Sequence, residues 1–186
     1  MLNRMKNGIK RSGLWRRYWD YRRIGLRIRA LNWLVHRVIY GQRGLKFSVH
    51  FASRVIRPDR VKLGKNVVSI GLKGGLYIQA VNGVEIGDDT IIAPGVKIIS
   101  ANHDLEDYGK HFSCEPVRIG RRCWLGVNAI ILPGVQLGDE VIVGAGAVVT
   151  KSFPARSVIA GVPAKLLRQW DPSEPASGGK PPTPEA

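Results

Sequence analysis

Residues 99–108 read Ile-Ser-Ala-Asn-His-Asp-Leu-Glu-Asp-Tyr. They set one histidine, His103, beside three acids, Asp104, Glu106 and Asp107, with His111 and Glu115 a little further on. A histidine titrates near pH 6.5, so its neutral ring can take a proton from a hydroxyl or an amine at physiological pH. A nearby carboxylate can hold the ring and stabilise its charged form. Asp104 is adjacent and is the first choice for that role; Glu106, Asp107 and Glu115 stay open. The plain alternative is a solvated loop histidine, and His111 is the rival within the same stretch. His36 and His50 lie far outside it. No Cys/His spacing resembles a zinc site, so this chemistry calls for no metal. Cys114 is a loop thiol without a partner, and Cys123 suits packing better than reactivity.

A base must be held, and the flanking sequence supplies the holder. Ile119, Leu125, Ile131, Leu137, Val143 and Val149 recur every sixth residue, and Gly120, Gly126, Gly138 and Gly144 follow four of them. Four residues after most of these aliphatics stands a small or β-branched residue, as at Cys123, Ala129, Val135, Val141 and Ala147. The beat also runs through Ile86-Gly87, Ile92, Ile98 and Leu63-Gly64. Helices place apolar residues at three and four, and simple strands at two. A period of six fits a short strand and a tight turn, repeated as the side of a coiled prism. Three sides close an eighteen-residue coil, which predicts interior columns: Ile119 under Leu137, Leu125 under Val143, Ile131 under Val149. Glycine at the corners is expected to supply angles that other residues resist. Ile98 is in register and Ile119 restarts it, so residues 103–116 read as a loop insertion with His103 at its root. Asn82 falls one coil below Asn102, where it either contacts an acceptor hydroxyl or turns a corner.

These features resemble the hexapeptide-repeat acyltransferases over roughly residues 60–168. The resemblance rests on Asn-His-Asp at 102–104, Arg-Cys-Trp-Leu-Gly-Val at 122–127, Gly-Ala-Gly-Ala-Val-Val-Thr-Lys at 144–151 and Ala-Gly-Val-Pro-Ala-Lys-Leu-Leu-Arg at 160–168. They are most similar to the galactoside, maltose and colanic-acid O-acetyltransferase branch. The resemblance implies an all-β, left-handed parallel β-helix, a homotrimer, and acetyl-CoA as co-substrate in a groove between neighbouring prisms. It implies a direct transfer to a sugar hydroxyl of surface polysaccharide, with His103 as base and Asp104 behind it. By position it assigns acetyl-CoA contacts to Trp124, Gly126, Val127, Ala145, Thr150, Lys151, Lys165 and Arg168. The oxyanion donor would be a backbone N–H at Gly126 or Val127. Val127 departs from the pattern, because a serine is common there. The rival activities are N-acetyl transfer to an amino sugar or amino acid, and a serine O-acetyltransferase-like reaction. Outside that class stand a non-catalytic scaffold and a carbonic-anhydrase-like metalloprotein.

The ends of the chain differ from its middle. Of 186 residues, 29 are Lys or Arg and 14 are Asp or Glu, a net charge of +15. Residues 1–46 alone hold 13 bases and one acid, Asp20, together with Trp15, Trp19, Trp33, Tyr18, Tyr21 and Tyr40. Such a segment implies an anionic neighbour. Ile28, Leu31, Val35, Val38 and Ile39 fall at helical spacing with Arg22, Arg23, Arg27 and Arg37 largely elsewhere, while Gly25 weakens the helix. That helix would either lie on an anionic membrane, as suits a lipid-linked acceptor, or cap the prism. No nucleic-acid recognition module accompanies the charge. Residues 47–168 are the expected β-helix, and 169–186 read as a disordered tail. Two cysteines without a disulfide framework, and no secretory signal or transmembrane run, point to the cytoplasm, with contact at the inner face of the membrane an added possibility.

Overall fold

A computed structural model describes residues 26–42, 45–67 and 69–170. Trp15, Trp19, Arg22, Arg23, Gly25 and residues 171–186 of the expected tail lie outside the described residues. The first two residues of that tail are ordered: Gln169 ends a strand and Trp170 N–H donates to Arg156 O.

Five coils stack into a prism. Its first side is a parallel sheet of β1 (Arg54–Ile56), β3 (Tyr77–Gln79), β6 (Lys97–Ile99), β9 (Ile130–Ile131) and β12 (Val148–Val149). The second side holds β2 (Val61–Leu63), β4 (Val84–Ile86), β7 (Val117–Ile119) and β10 (Gln136–Leu137). The third holds β5 (Ile91–Ile92), β8 (Trp124–Leu125), β11 (Ile142–Val143) and β13 (Ser157–Ala160), with β14 (Lys165–Gln169) added antiparallel at its edge. This is a left-handed parallel β-helix, as the family resemblance implied. The first coil lacks a strand on the third side; a short helix, Ser69–Leu72, fills that place, and its Ser69 hydroxyl accepts from the Ile92 N–H.

The predicted columns are present. Ile119 pairs with Leu137, Leu125 with Val143 and Ile131 with Val149. Their side chains are buried, as are Ile78, Ile98, Val84 and Ile86 below them. Each aliphatic side chain so removed from water contributes on the order of 1.5–3 kcal/mol, and only the adjacent coils supply that burial. Strand ends are held by coil-to-coil bonds such as Gly120 N–H to Leu137 O at 2.9 Å.

The glycines that directly follow the aliphatics work differently from the sequence expectation, whereas Gly83, Gly95, Gly134 and Gly146 do take left-handed angles. The left-handed corner positions are Asn66, Asp89, Arg122, Glu140 and Arg156 on one edge of the prism. Gly64, Gly87, Gly120 and Gly138 stand two residues before corners and have no left-handed angle. They are glycine because the next coil leaves no room: a Cβ on Gly120 would lie 2.5 Å from the Gly138 carbonyl. The corner residues instead stack as alternating charges, with Arg122 and Arg156 both on Glu140.

The N-terminal helix α1 (Leu26–Leu34) continues into a π-helical turn, Val35–Ile39. It sits against the first coils through polar groups. Asn32 donates to Gly71 O at 3.2 Å and to Ser48 Oγ at 3.3 Å, and accepts from Phe51 N–H at 2.9 Å. A ring nitrogen of His36 lies 3.1 Å from His50 O. Asn32 and His36 are each only 2% exposed. The apolar residues that fall at helical spacing, Ile28, Leu31, Val38 and Ile39, are exposed, so they are not what docks the helix on the prism.

Candidate active site

The edge between the first and second sides is where the prism opens. In the second coil, residues 80–83 turn this edge; in the third, residues 101–116 do, because Val117 lands back over Val84. The excursion is a compact hairpin. His103 and His111 form an antiparallel bridge, Asp104 N–H donates to Lys110 O at 3.1 Å, and Phe112 N–H donates to Asn102 O at 3.1 Å. Its acids tie the turn: Asp104 Oδ1 accepts from Glu106 N–H at 2.8 Å, and Asp107 Oδ1 accepts from Gly109 N–H at 2.9 Å. Asp107 also pairs with Lys110, and Glu115 with Arg118.

His103 is therefore held by backbone. Its Nδ1 lies 2.7 Å from the Tyr108 carbonyl oxygen. A carbonyl can only accept, so in the neutral ring Nδ1 carries the hydrogen and Nε2 keeps its lone pair. The ring is exposed, and Nε2 has no partner among the described residues. The His111 ring packs against it, with ring centroids 4.5 Å apart and an interplanar angle of 34°. The sequence expectation that Asp104 holds the ring differs from this arrangement, because the Asp104 carboxylate is engaged by its own turn. The Tyr108 carbonyl was invisible to an argument from residue types, since every residue has one.

Asn82 is a staple at the base of the hairpin. Its Nδ2 donates to Ser100 O at 3.0 Å and Phe112 O at 2.8 Å, and approaches Cys114 Sγ at 3.2 Å. The left-handed residue at that corner is Gly83 rather than Asn82, which corrects the corner reading. Both amide hydrogens are thus used within the hairpin base, and the Asn82 side-chain oxygen has no partner among the described residues.

The residues assigned to acetyl-CoA divide between two edges. Trp124, Gly126, Val127 and Ala145 lie on the third side and the edge leading from it to the first, with Lys165 and Arg168 on β14 alongside. Thr150 and Lys151 lie on the hairpin's edge, two coils further along. Gly126 N–H donates to Val143 O at 2.8 Å and is unavailable to a substrate. Val127 N–H has no partner among the described residues. Trp124 is 52% exposed and Val127 46%. Lys165 and Arg168 are exposed, and neither has an acidic partner among the described residues. The donor set fits a chain of phosphates beside a narrow thiol-bearing arm: bases at one end, a free N–H at the other. Among the described residues no group of three or more His, Cys, Asp or Glu could hold a metal ion.

Comparison with known proteins agrees with this architecture. Residues 116–151 match the family model described as hexapeptide repeat of succinyl-transferase. The chain is 34% identical over 144 residues, 68% of its own length and 72% of the other, to a putative lipopolysaccharide biosynthesis O-acetyl transferase, WbbJ, of Escherichia coli (strain K12). It is 40% identical over 90 residues to galactoside O-acetyltransferase of the same strain, spanning 46% of this chain and 44% of that one. A solved galactoside acetyltransferase in complex with coenzyme A superimposes with a TM-score of 0.54 at 32% identity, covering 63% of this chain and 62% of that one. The chain belongs to the hexapeptide-repeat acetyltransferase family.

Proposed function

We propose that this protein is an acetyl-CoA-dependent O-acetyltransferase that acts on a sugar hydroxyl in surface polysaccharide or its lipid-linked precursor. The observation that carries the reading is the Tyr108 carbonyl on His103 Nδ1, which leaves Nε2 as an exposed base at the root of a braced hairpin. Acetyl-CoA supplies the activated thioester carbonyl. His103 Nε2 takes the hydroxyl proton as the sugar oxygen bonds to that carbon. The Val127 N–H faces the oxyanion that forms. As the carbon–sulfur bond breaks, His103 returns the proton to the departing sulfur. No covalent enzyme intermediate is needed.

His103 and Val127 belong to the same coil but to different edges of one prism. Three copies set side by side, with their axes parallel, bring one copy's hairpin edge to its neighbour's Val127 edge at the same height. The site is then completed between subunits, with Trp124, Ala145, Lys165 and Arg168 of one copy along the pantetheine and phosphates, and Thr150 and Lys151 of the next across the groove. A homotrimer working in the cytoplasm at the inner face of the membrane follows from this reading and from a lipid-linked acceptor. The test is acetyl-CoA turnover with a panel of soluble saccharides, together with the sedimentation mass. Saccharide-dependent release of CoA by a trimer is expected; a monomer with full turnover would refute the shared site.

A further inference from the structure

Helix α1 and the π-helical turn that continues it are turned inside out relative to an ordinary surface helix. Together they bury Asn32 and His36 and leave Leu26 82%, Trp33 61%, Val38 66% and Ile39 70% exposed. Beside this ridge, a cleft of about 390 Å³ opens between the helix and residues 45–49. Arg29, Arg37 and Lys46 line it together with Trp33, Gln42 and Ser48. No Asp or Glu lines it, and among the described residues none of the three bases is in an ion pair. The Arg37 guanidinium lies 5.9 Å from the Trp33 ring centroid, which fixes a cation at the border between cleft and apolar ridge. Residues 1–25, which precede the helix, add eight bases and one acid.

We propose that this cleft binds the phosphate of an anionic phospholipid while the α1 ridge enters the headgroup layer, so that the first coil of the prism faces the membrane. The proposal rests on the reading that the acceptor is carried at a membrane, and gives that reading a binding site. The pairing of the two features selects the occupant. A soluble phosphate would use the three bases and leave Leu26, Trp33, Val38 and Ile39 in water; a neutral apolar partner would bury the ridge and leave three uncompensated cations. A phospholipid surface satisfies both, since aromatic and aliphatic groups sit at headgroup depth and bases remain in the anionic layer. The helix's polar staples fit as well: Asn32 and His36 hold it rigidly on the prism, so the ridge is presented without unfolding.

The experiment is flotation of the full chain with vesicles of phosphatidylcholine alone and of phosphatidylcholine with 30% phosphatidylglycerol. Wild type should float with the anionic vesicles and lose binding as salt rises. Arg29→Ala/Arg37→Ala/Lys46→Ala should weaken that partition by on the order of a hundredfold, because each base near an anionic leaflet contributes roughly fivefold. Trp33→Ser/Val38→Ser should weaken it at fixed charge. Both variants should keep wild-type acetyl transfer to a soluble acceptor, which shows that they fold and separates failure here from failure of the enzymatic reading. Unchanged flotation of the triple variant would assign binding to residues 1–25 and overturn the cleft. Saturable binding of glycerol phosphate by wild-type protein that floats with neither vesicle would make the occupant a soluble phosphate and overturn the membrane assignment. A change in sedimentation mass of Trp33→Ser/Val38→Ser, with flotation unaltered, would make the ridge a contact between copies and overturn it equally.

Discussion

His103 Nδ1 stands 2.7 Å from the carbonyl oxygen of Tyr108, five residues along the same hairpin. The backbone thus does for this imidazole what a carboxylate does in a hydrolase triad, without adding a negative charge. An acid that orients a catalytic histidine is worth up to about 10⁴ in kcat, whereas Asp104→Asn here should stay within about tenfold of wild type. The asparagine can still accept the Glu106 N–H through its oxygen. Steady-state kinetics decide, and a thousandfold fall would return the acid to the imidazole.

Glycines at two kinds of position should fail for different reasons. Gly120→Ala puts a methyl 2.5 Å from the next coil's backbone, although its backbone angle is ordinary. Overpacking against backbone costs about 1–3 kcal/mol or more. Gly134 has open space around it but a φ of +74°. Gly134→Ala should cost roughly 1 kcal/mol, and Gly134→Asn less, because asparagine tolerates the left-handed region. Denaturant melts of the three variants check the order; a Gly120→Ala protein as stable as Gly134→Asn would contradict it.

The contrast shows what was readable from residue types. Eighteen-residue spacing located the partners of Ile119, Leu125 and Ile131 because an aliphatic has one way to be buried in such a coil. The hairpin was visible as a broken beat. The reason for glycine was not visible: a positive φ and a close coil both select it, and the two separate only when Arg122 and Glu140 turn out to occupy the left-handed corners. The face that α1 buries was also hidden, since hydropathy cannot foresee that Asn32 and His36 find partners at Ser48, Gly71 and His50. The antiparallel strand β14 lies past the last six-residue beat, so no period announced it.

Acid should weaken the prism. Asp139 is held below the usual carboxylate range by the Arg121 guanidinium and the Arg121 N–H, and Glu85 by the Lys62 ammonium and then Arg118. Both groups bind a proton less readily folded than unfolded. Their stabilisation is complete above ordinary carboxylate values, near 4, and disappears as pH falls through the lower folded values. Tm should therefore drop between about pH 5 and pH 2. Asp139→Asn should have a lower Tm at neutral pH and a shallower drop; an equally steep one would contradict the assignment.

The two thiols should differ sharply. Cys123 is buried, its Sγ lies 3.2 Å from Gly138 O, and desolvation pushes its pKa up to about 11. Cys114 is exposed at the foot of the hairpin. A thiolate-selective reagent should label Cys114 in the native protein and Cys123 only after denaturation. Labelling of both at one rate would contradict the packing described. Modified Cys114 should also lower turnover, because Asn82 and Ser100 hold the hairpin through it.

The base assignment is tested most directly by His103→Ala, measured for acetyl transfer, CoA affinity and sedimentation together. Loss of a general base should lower kcat by on the order of 10²–10⁴, with CoA affinity and oligomeric mass unchanged. Near wild-type turnover by a folded variant would contradict the account, whatever its CoA affinity.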